Sequence, residues 1–271
     1  MSFLRRPAVF SANHFSGFGA ITGAFYLYLY APIVALVVLS FNGSTSATVW
    51  KSFSLQWYEV VFQNAALRDA AQNSVVIALT SASFSTVLAT MAALAIARRQ
   101  RTRTTAMSER LIMLPLVLPE IVVGVATLGF FSAIGLSLGA GNLIIAHTVF
   151  CIPFAYLPIR ARLQGMDTRL EQAAMDLYAR EWATLRYVTL PLLMPGIVSG
   201  LMLAFVVSLD NFIISVLVAQ AGSTTLPIFI FSLMRMGVTP DVNAASTIIL
   251  VISVALVVAA HMIGKGGHKR S

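Results

Sequence analysis

An all-α polytopic membrane protein is the fold class this sequence predicts, and three observations predict it. The 271-residue chain is 58% hydrophobic and only 10% charged, with a mean hydropathy of +0.84. A soluble domain carries about 25% charged residues, so this chain lacks the charge to cover a water-exposed surface. Second, it contains six apolar stretches near the roughly 20 residues that a helix needs to cross a hydrocarbon core of about 30 Å. Third, its basic residues alternate from one connection to the next in the way that orients such helices. One cysteine, Cys151, excludes an intramolecular disulfide and a cysteine-built zinc site.

The expected spans are Ile21–Phe41, Ser74–Ala97, Leu111–Ile134, Leu143–Ile159, Leu192–Ala219 and Ala244–Ile263. The first follows Arg5 and Arg6, but its apolar run exceeds a signal-peptide core and no small-residue cleavage site follows it. The second is rich in Ser, Thr and Ala. In the third, Pro115 and Pro119 precede Glu120. The fourth is short and carries His147, Pro153 and Pro158. The fifth is long enough to tilt or to contain a break. Of 18 basic residues, 15 fall in the N-terminal segment, the second and fourth connections and the C-terminal segment; only Lys51, Arg68 and Arg235 fall on the other side. Six spans with both termini cytoplasmic satisfy that bias. The net charge of +8 and pI of about 10.2 are then a topology signal, and no nucleic acid is expected as a partner.

The outer connection Asn42–Asn73 carries Trp50, Phe53, Trp57, Tyr58 and Phe62, aromatics suited to a membrane–water boundary, and an interfacial helix is expected near Leu55–Phe62. The inner connection 160–190 is too polar to span. Thr168-Arg169-Leu170-Glu171 has the spacing of a capping box, in which Thr and Glu side chains satisfy free amides at a helix start. Leu170, Ala173, Ala174 and Leu177 then share one helical face, with Arg169, Glu171, Gln172 and Asp176 largely off it. A second short run places Trp182, Leu185 and Val188 on one side and is expected to stop before Pro191. Two readings of this pair stay open: a surface for docking another protein, or a loop that packs on its own bundle. Gly19/Gly23, Gly135/Gly139 and Gly196/Gly200 have the spacing that lets helices approach closely.

No metal-ligand spacing, phosphate loop or nucleophile elbow is present, so no metal, no cofactor and no catalytic residue is expected. Two carboxylates lie inside expected spans, Glu120 and Asp210, the latter followed by Asn211. A charge at the bilayer centre costs about 2.5–3.5 kcal/mol on insertion scales. Such groups therefore face a bundle interior, a water-filled cavity or a partner, although at Glu120 a purely local role beside the prolines is equally open.

Glu171-Gln172-Ala173-Ala174-Met175-Asp176-Leu177, followed by Thr189-Leu190-Pro191, resembles the EAA loop of ABC-importer permease subunits. Ser208-Leu209-Asp210-Asn211-Phe212, the segment from Thr225-Leu226-Pro227 to Asn243-Ala244, and Tyr28-Leu29-Tyr30-Ala31-Pro32-Ile33 resemble the spermidine/putrescine branch of that family, and the likeness runs from about residue 20 to residue 263. The resemblance implies a type I ABC importer (MetI-like) permease fold in a bacterial inner membrane. It implies a core at 73–260, a peripheral first span within 1–72 and a cytoplasmic tail at 261–271. The implied partners are a second permease chain, a cytoplasmic ATPase dimer that hydrolyses the ATP, a periplasmic polyamine-binding protein and the lipid bilayer; the chain itself is not an enzyme. Leu170, Glu171, Gln172, Ala173, Ala174, Asp176, Leu177 and Tyr178 would couple to the ATPase, and Trp50, Glu120, Asp210 and Asn211 would meet the substrate. One departure stands out: the family's loop usually has glycine where this chain has Tyr178, so either the turn is built differently or Ala179-Arg180 absorbs it. The competing functions are an ABC permease for another small solute (an opine, a sugar or a metal complex), a self-sufficient secondary transporter, and, last, an intramembrane enzyme.

Overall fold

The computed structural model describes residues 18–46, 49–98, 102–236 and 240–266. Arg5, Arg6, Arg99, Arg101, Gly237 to Thr239, Lys269 and Arg270 lie outside them. The described residues form helices α1 (Phe18–Leu39), α2 (Gln56–Gln63), α3 (Ala65–Ala97), α4 (Arg103–Val117), α5 (Glu120–Ala133), α6 (Ala140–Gln164), α7 (Arg169–Asp176), α8 (Glu181–Thr184), α9 (Leu190–Asp210), α10 (Ile213–Val218), α11 (Leu226–Met236) and α12 (Pro240–Gly266).

The core is a three-helix contact of α3, α6 and α9. The Ser/Ala-rich composition of α3 explains it. Ala78, Ser81, Ala82, Ser85 and Ala89 are buried at helical spacing, and Ser81 Oγ donates to the Ile144 carbonyl at 3.1 Å. Small side chains let the backbones close in where lipid supplies no hydrophobic drive for association. The same logic selects among the glycine pairs. A Cβ at Gly200 would stand 2.7 Å from the Ala155 carbonyl, and one at Gly196 would stand 2.7 Å from Arg162 Cβ, so this pair is the α6–α9 crossing. Gly19 and Gly23 have nothing within 4 Å, and Gly135 and Gly139 are turn residues with φ near +60°.

Among the described residues, four helices are long and apolar enough to cross a membrane: α1, α3, α6 and the continuous helix Glu181–Asp210. The third expected span is not continuous; α4 and α5 meet at a 107° bend. Pro119 lacks an N–H and drives Leu118 to extended geometry (ψ 140°), which ends α4. The fifth expected span starts earlier and ends sooner than its apolar run: α9 stops at Asp210, Asn211 is extended (ψ 107°), and α10 begins at Ile213. The sixth is carried by α12, whose apolar stretch is Pro240–Ala255. The interfacial helix is present as α2.

Two local expectations in the 160–190 connection are corrected. Thr168 makes no side-chain cap; Asp167 Oδ1 accepts from the Arg169 amide at 2.9 Å instead. Glu171 is drawn away from the box because it accepts a hydrogen bond from Thr189 Oγ1. The second helix does not stop before Pro191. Residues Leu185–Thr189 form a π-helical turn that runs directly into α9, with Pro191 in the first turn of α9, where a missing N–H costs least. That turn shifts the buried register to Thr184 and Thr189, five apart, and leaves Trp182 exposed.

One end of the bundle holds both arginine-rich connections. There Arg160 of α6 pairs with Glu109 of α4, and Arg162 Nε donates to the Leu192 carbonyl at 2.9 Å. The other end is knit by Asn73 Nδ2 donating to the Gly222 and Thr224 carbonyls and by Gln220 Oε1 accepting from Ser137 Oγ and the Gly139 amide. The end of α1 and the start of α12 meet around α2 at that second end: Ser40 Oγ lies 2.7 Å from Tyr58 Oη, and Val61 clusters with Ala244 and Ala245.

Candidate functional site

The two interrupted helices bring the intramembrane carboxylates together. Pro119 starts α5 with Glu120 as its first residue, and the extended Asn211 ends α9 with Asp210 as its last. Asn211 joins the two breaks. Its Nδ2 donates to Glu120 Oε1 at 2.5 Å, and its Oδ1 accepts the Ile214 amide at 3.1 Å, capping α10. Close approach of α5 to α10 is permitted at Gly124, one turn after Glu120, where a Cβ would stand 2.7 Å from Leu217 Cδ1 and 3.6 Å from the Ile214 Cα.

The two carboxylates sit in opposite local fields. Glu120 is at a helix N-terminus, where free amides favour an anion. Asp210 is at a helix C-terminus, where carbonyl ends disfavour one. No ion pair to Asp210 is formed among the described residues. A carboxylate kept exposed there, at the end of an apolar helix, suits a cation that comes from outside the chain.

Two cavities receive it. One, of about 540 Å³, is lined by Glu120, Asp210, Asn211 and the rings of Phe150, Phe154 and Phe212. The other, of about 300 Å³, lies towards α11 and α12 and is lined by Asp210, Phe212, Phe231 and Met234. Asp210 and Phe212 line both. The Phe212 and Phe231 rings are in contact, with centroids 4.7 Å apart, and the Arg235 guanidinium lies 4.7 Å from the Phe231 centroid, so this wall already accommodates a cation on an aromatic face.

Of the residues singled out in the sequence, Glu120, Asp210 and Asn211 therefore converge on one site. Trp50 does not line either cavity; it lies half-exposed in the outer loop. That loop is organised by the fully buried Asn42, whose Oδ1 accepts from the Ser44 and Lys51 amides and whose Nδ2 donates to the Val49 carbonyl at 2.7 Å. In the sequence His147 stands alone in the short fourth span, with a helix-buried or an interfacial histidine both open. Its ring nitrogens in fact meet Ser208 Oγ at 2.8 Å and Ser215 Oγ at 3.0 Å, on either side of the α9–α10 break. The signal available was two serines seven apart around an Asp-Asn pair, which alone does not point to a distant histidine.

A second exposed feature lies at the arginine-rich end. No residue of α7 is buried. Leu170, Ala173 and the off-stripe Gln172 and Asp176 face outward, Ala174 is half-buried, and Leu177 lies just past the helix as its C-cap, 82% exposed. Glu171 turns inward to Thr189 and so fixes α7 against the π turn. The turn after α7 answers the glycine question: Tyr178 itself adopts φ +60°. The Tyr178 amide donates to the Met175 carbonyl at 2.9 Å and the Ala179 amide to the Ala174 carbonyl at 3.1 Å, which is the paired bonding of a Schellman motif.

A bundle with broken spans, an acidic site at the breaks and an outward-facing amphipathic pair at one end defines the class of integral membrane transport subunits. The chain belongs to the binding-protein-dependent transport system inner membrane component family, whose model matches residues 85–265. It is 42% identical over 238 residues to the spermidine/putrescine transport system permease protein PotC of Haemophilus influenzae, covering 88% of this chain and 92% of that one. It is 37% identical over 247 residues to PotC of Escherichia coli K12 (91% and 93%), and 39% identical over 231 residues to the putrescine transport system permease protein PotI of that strain (83% and 82%). Its fold matches a chain of a bacterial ABC transporter involved in the import of the polysaccharide alginate, with TM-score 0.71 at 18% identity over 90% of this chain and 92% of that one. It also matches a chain of the MetNI methionine ABC transporter, with TM-score 0.63 at 17% identity over 74% and 95%. The chain thus has the ABC-importer permease fold, and its homologues are transport subunits, not enzymes.

Proposed function

We propose that this chain is one of two permease subunits of an ATP-driven importer for polyamines, spermidine or putrescine, in a bacterial inner membrane, with six spans, both termini cytoplasmic and the core at 73–260. The observation that carries the substrate class is Asp210 at the shared wall of two aromatic-lined cavities, with Glu120 held beside it through Asn211. A polyamine is a flexible chain of ammonium groups separated by methylenes. Carboxylates accept the ammonium N–H groups in charge-assisted bonds roughly twice as strong as neutral ones. The phenylalanine faces take the methylenes and add about 0.5–2 kcal/mol per nearby cation. Trp50, in the outer loop, meets the substrate before it reaches the carboxylates.

The energy source is a separate ATPase dimer. Leu170, Gln172, Ala173, Ala174, Asp176, Leu177 and Tyr178 form the surface that docks on it, and Glu171 holds that surface in place. A periplasmic polyamine-binding protein delivers the substrate to the opposite end. A second homologous permease completes the path. Reconstitution of the four components in lipid vesicles tests this reading. Spermidine or putrescine should accumulate only when ATP, binding protein, ATPase and both permeases are present. Uptake by this chain alone, driven by an ion gradient, would instead identify a secondary transporter. Accumulation of a neutral sugar or an opine, with no polyamine uptake, would identify a different substrate class.

A further inference from the structure

We propose that His147 is a positioning residue for this site, setting the geometry of Asp210 and Asn211 through a directed hydrogen-bond chain across the α9–α10 break. The inference rests on the reading that Asp210, Asn211 and Glu120 meet the substrate. His147 comes from α6, is 2% exposed, and stands between Ser208 of α9 and Ser215 of α10.

Counting protons fixes the direction of the chain. Ser215 Oγ donates its only proton to the Asn211 carbonyl at 2.6 Å. The 3.0 Å contact between His147 Nε2 and Ser215 Oγ therefore takes its proton from the imidazole. A buried imidazole whose ring partners are two hydroxyls, with no carboxylate, is neutral and has one N–H. Nδ1 is then bare and accepts from Ser208 Oγ at 2.8 Å. The sequence is Ser208 hydroxyl to imidazole, imidazole to Ser215 hydroxyl, Ser215 hydroxyl to Asn211 carbonyl.

The chain has a purpose at this place. A helix break inside a membrane frees backbone groups that lipid cannot satisfy, and protein must satisfy them. Here the freed Asn211 carbonyl is bound by Ser215, while the Asn211 side chain is tied at both ends, to Ile214 and to Glu120. The peptide between Asn211 and Phe212 is thus held by Ser215, and the Asn211 side chain beside it by Ile214 and Glu120. Without His147, Ser215 keeps its serine–backbone bond but loses its anchor to α6, and the break is free to re-form as helix. Asp210 would then turn away from the wall it shares between the cavities.

The complete importer in lipid vesicles tests this. In complex labelled with 15N-histidine, the resonances lost in His147→Gln should show one bare and one protonated nitrogen, with the proton on Nε2. His147→Phe, which keeps a ring and removes both bonds, should lower the uptake rate at saturating loaded binding protein about tenfold or more, while the complex assembles and hydrolyses ATP. His147→Gln offers a donor and an acceptor again and should recover a large part of that loss. Ser215→Ala should reproduce the loss, and combining it with His147→Phe should add little, because the groups act as one unit. Should His147→Phe fail to assemble, Ser215→Ala, which removes a single oxygen, carries the uptake test. A proton on Nδ1, or wild-type uptake by His147→Phe or by Ser215→Ala where Asp210→Asn is inactive, overturns the role of His147 alone. Normal uptake by Asp210→Asn overturns the reading of the site on which it rests.

Discussion

Replacing Tyr178 by glycine should firm the turn that ends α7, and replacing it by alanine should not. Tyr178 closes a Schellman motif at φ +60°, the position that favours glycine. A left-handed L residue costs about 1–2 kcal/mol through its Cβ, which alanine retains and glycine lacks. Glycine returns about 0.4–1 kcal/mol of that through the larger entropy of the open chain. The ring is 96% exposed, so removing it sacrifices no packing within the chain. The balance is about 0.5–1 kcal/mol in favour of the closed turn, or about two- to fivefold in its opening equilibrium. Hydrogen–deuterium exchange at the Tyr178 and Ala179 amides reads this directly, because their acceptors are the Met175 and Ala174 carbonyls. Exchange should slow by that factor in Tyr178→Gly and stay at the wild-type rate in Tyr178→Ala. Equal slowing in both variants, or faster exchange in the glycine variant, refutes the assignment of strain to the Cβ.

Ala173 is exposed within the chain, so Ala173→Glu should leave the permease folded while burying an unpaired charge at the proposed ATPase contact, a change that costs about 3–5 kcal/mol; co-purified ATPase should fall sharply, and wild-type retention with intact transport would rule out docking at this face. Gly200→Ala drives a Cβ to 2.7 Å from a backbone carbonyl and should destabilise the α6–α9 crossing by about 1–3 kcal/mol, seen as a lower melting temperature, whereas Gly19→Ala, with nothing within 4 Å, should be silent. On the proposed topology, in which the basic residues lie inside, a cysteine at Thr45 should react with an impermeant thiol reagent outside intact cells and one at Thr104 should not; the buried Cys151 contributes no background.

The sequence made the helical class, the Ser/Thr/Ala-rich composition of α3 and two separate carboxylates in apolar runs legible, because each is a local pattern with a local physical cause. Glu120 after Pro119 and Asp210 before Asn211 could be picked out as costly groups in apolar runs. Their meeting could not, because Asn211 reaches Glu120 across 91 residues and only at two helix breaks. The 107° bend at Pro119 was foreshadowed by its residue, but a proline alone does not distinguish a kink from an end. The capping box failed for a similar reason. Its spacing was correct, but Glu171 had a tertiary competitor in Thr189, eighteen residues away. The π turn at Leu185–Thr189 was invisible to a 3.6-residue period, which placed Trp182, Leu185 and Val188 on one side. His147 was legible only as a lone histidine in an apolar run; its burial and its partners were not.

The most direct test of the central claim, that a cation passes a carboxylate at the α9–α10 break, is spermidine uptake by the complete reconstituted importer carrying Asp210→Asn, compared with Asp210→Glu at equal assembly. The asparagine keeps the shape and one acceptor oxygen and removes the charge, with a donor NH2 in place of the second oxygen. A charge-assisted bond is worth about 1.5–3 kcal/mol, so its loss should cut uptake by about tenfold to more than a hundredfold while ATP hydrolysis continues. Asp210→Glu, which restores the charge at slightly longer reach, should retain part of the activity. Wild-type uptake by Asp210→Asn would show that this carboxylate is structural and would contradict the account.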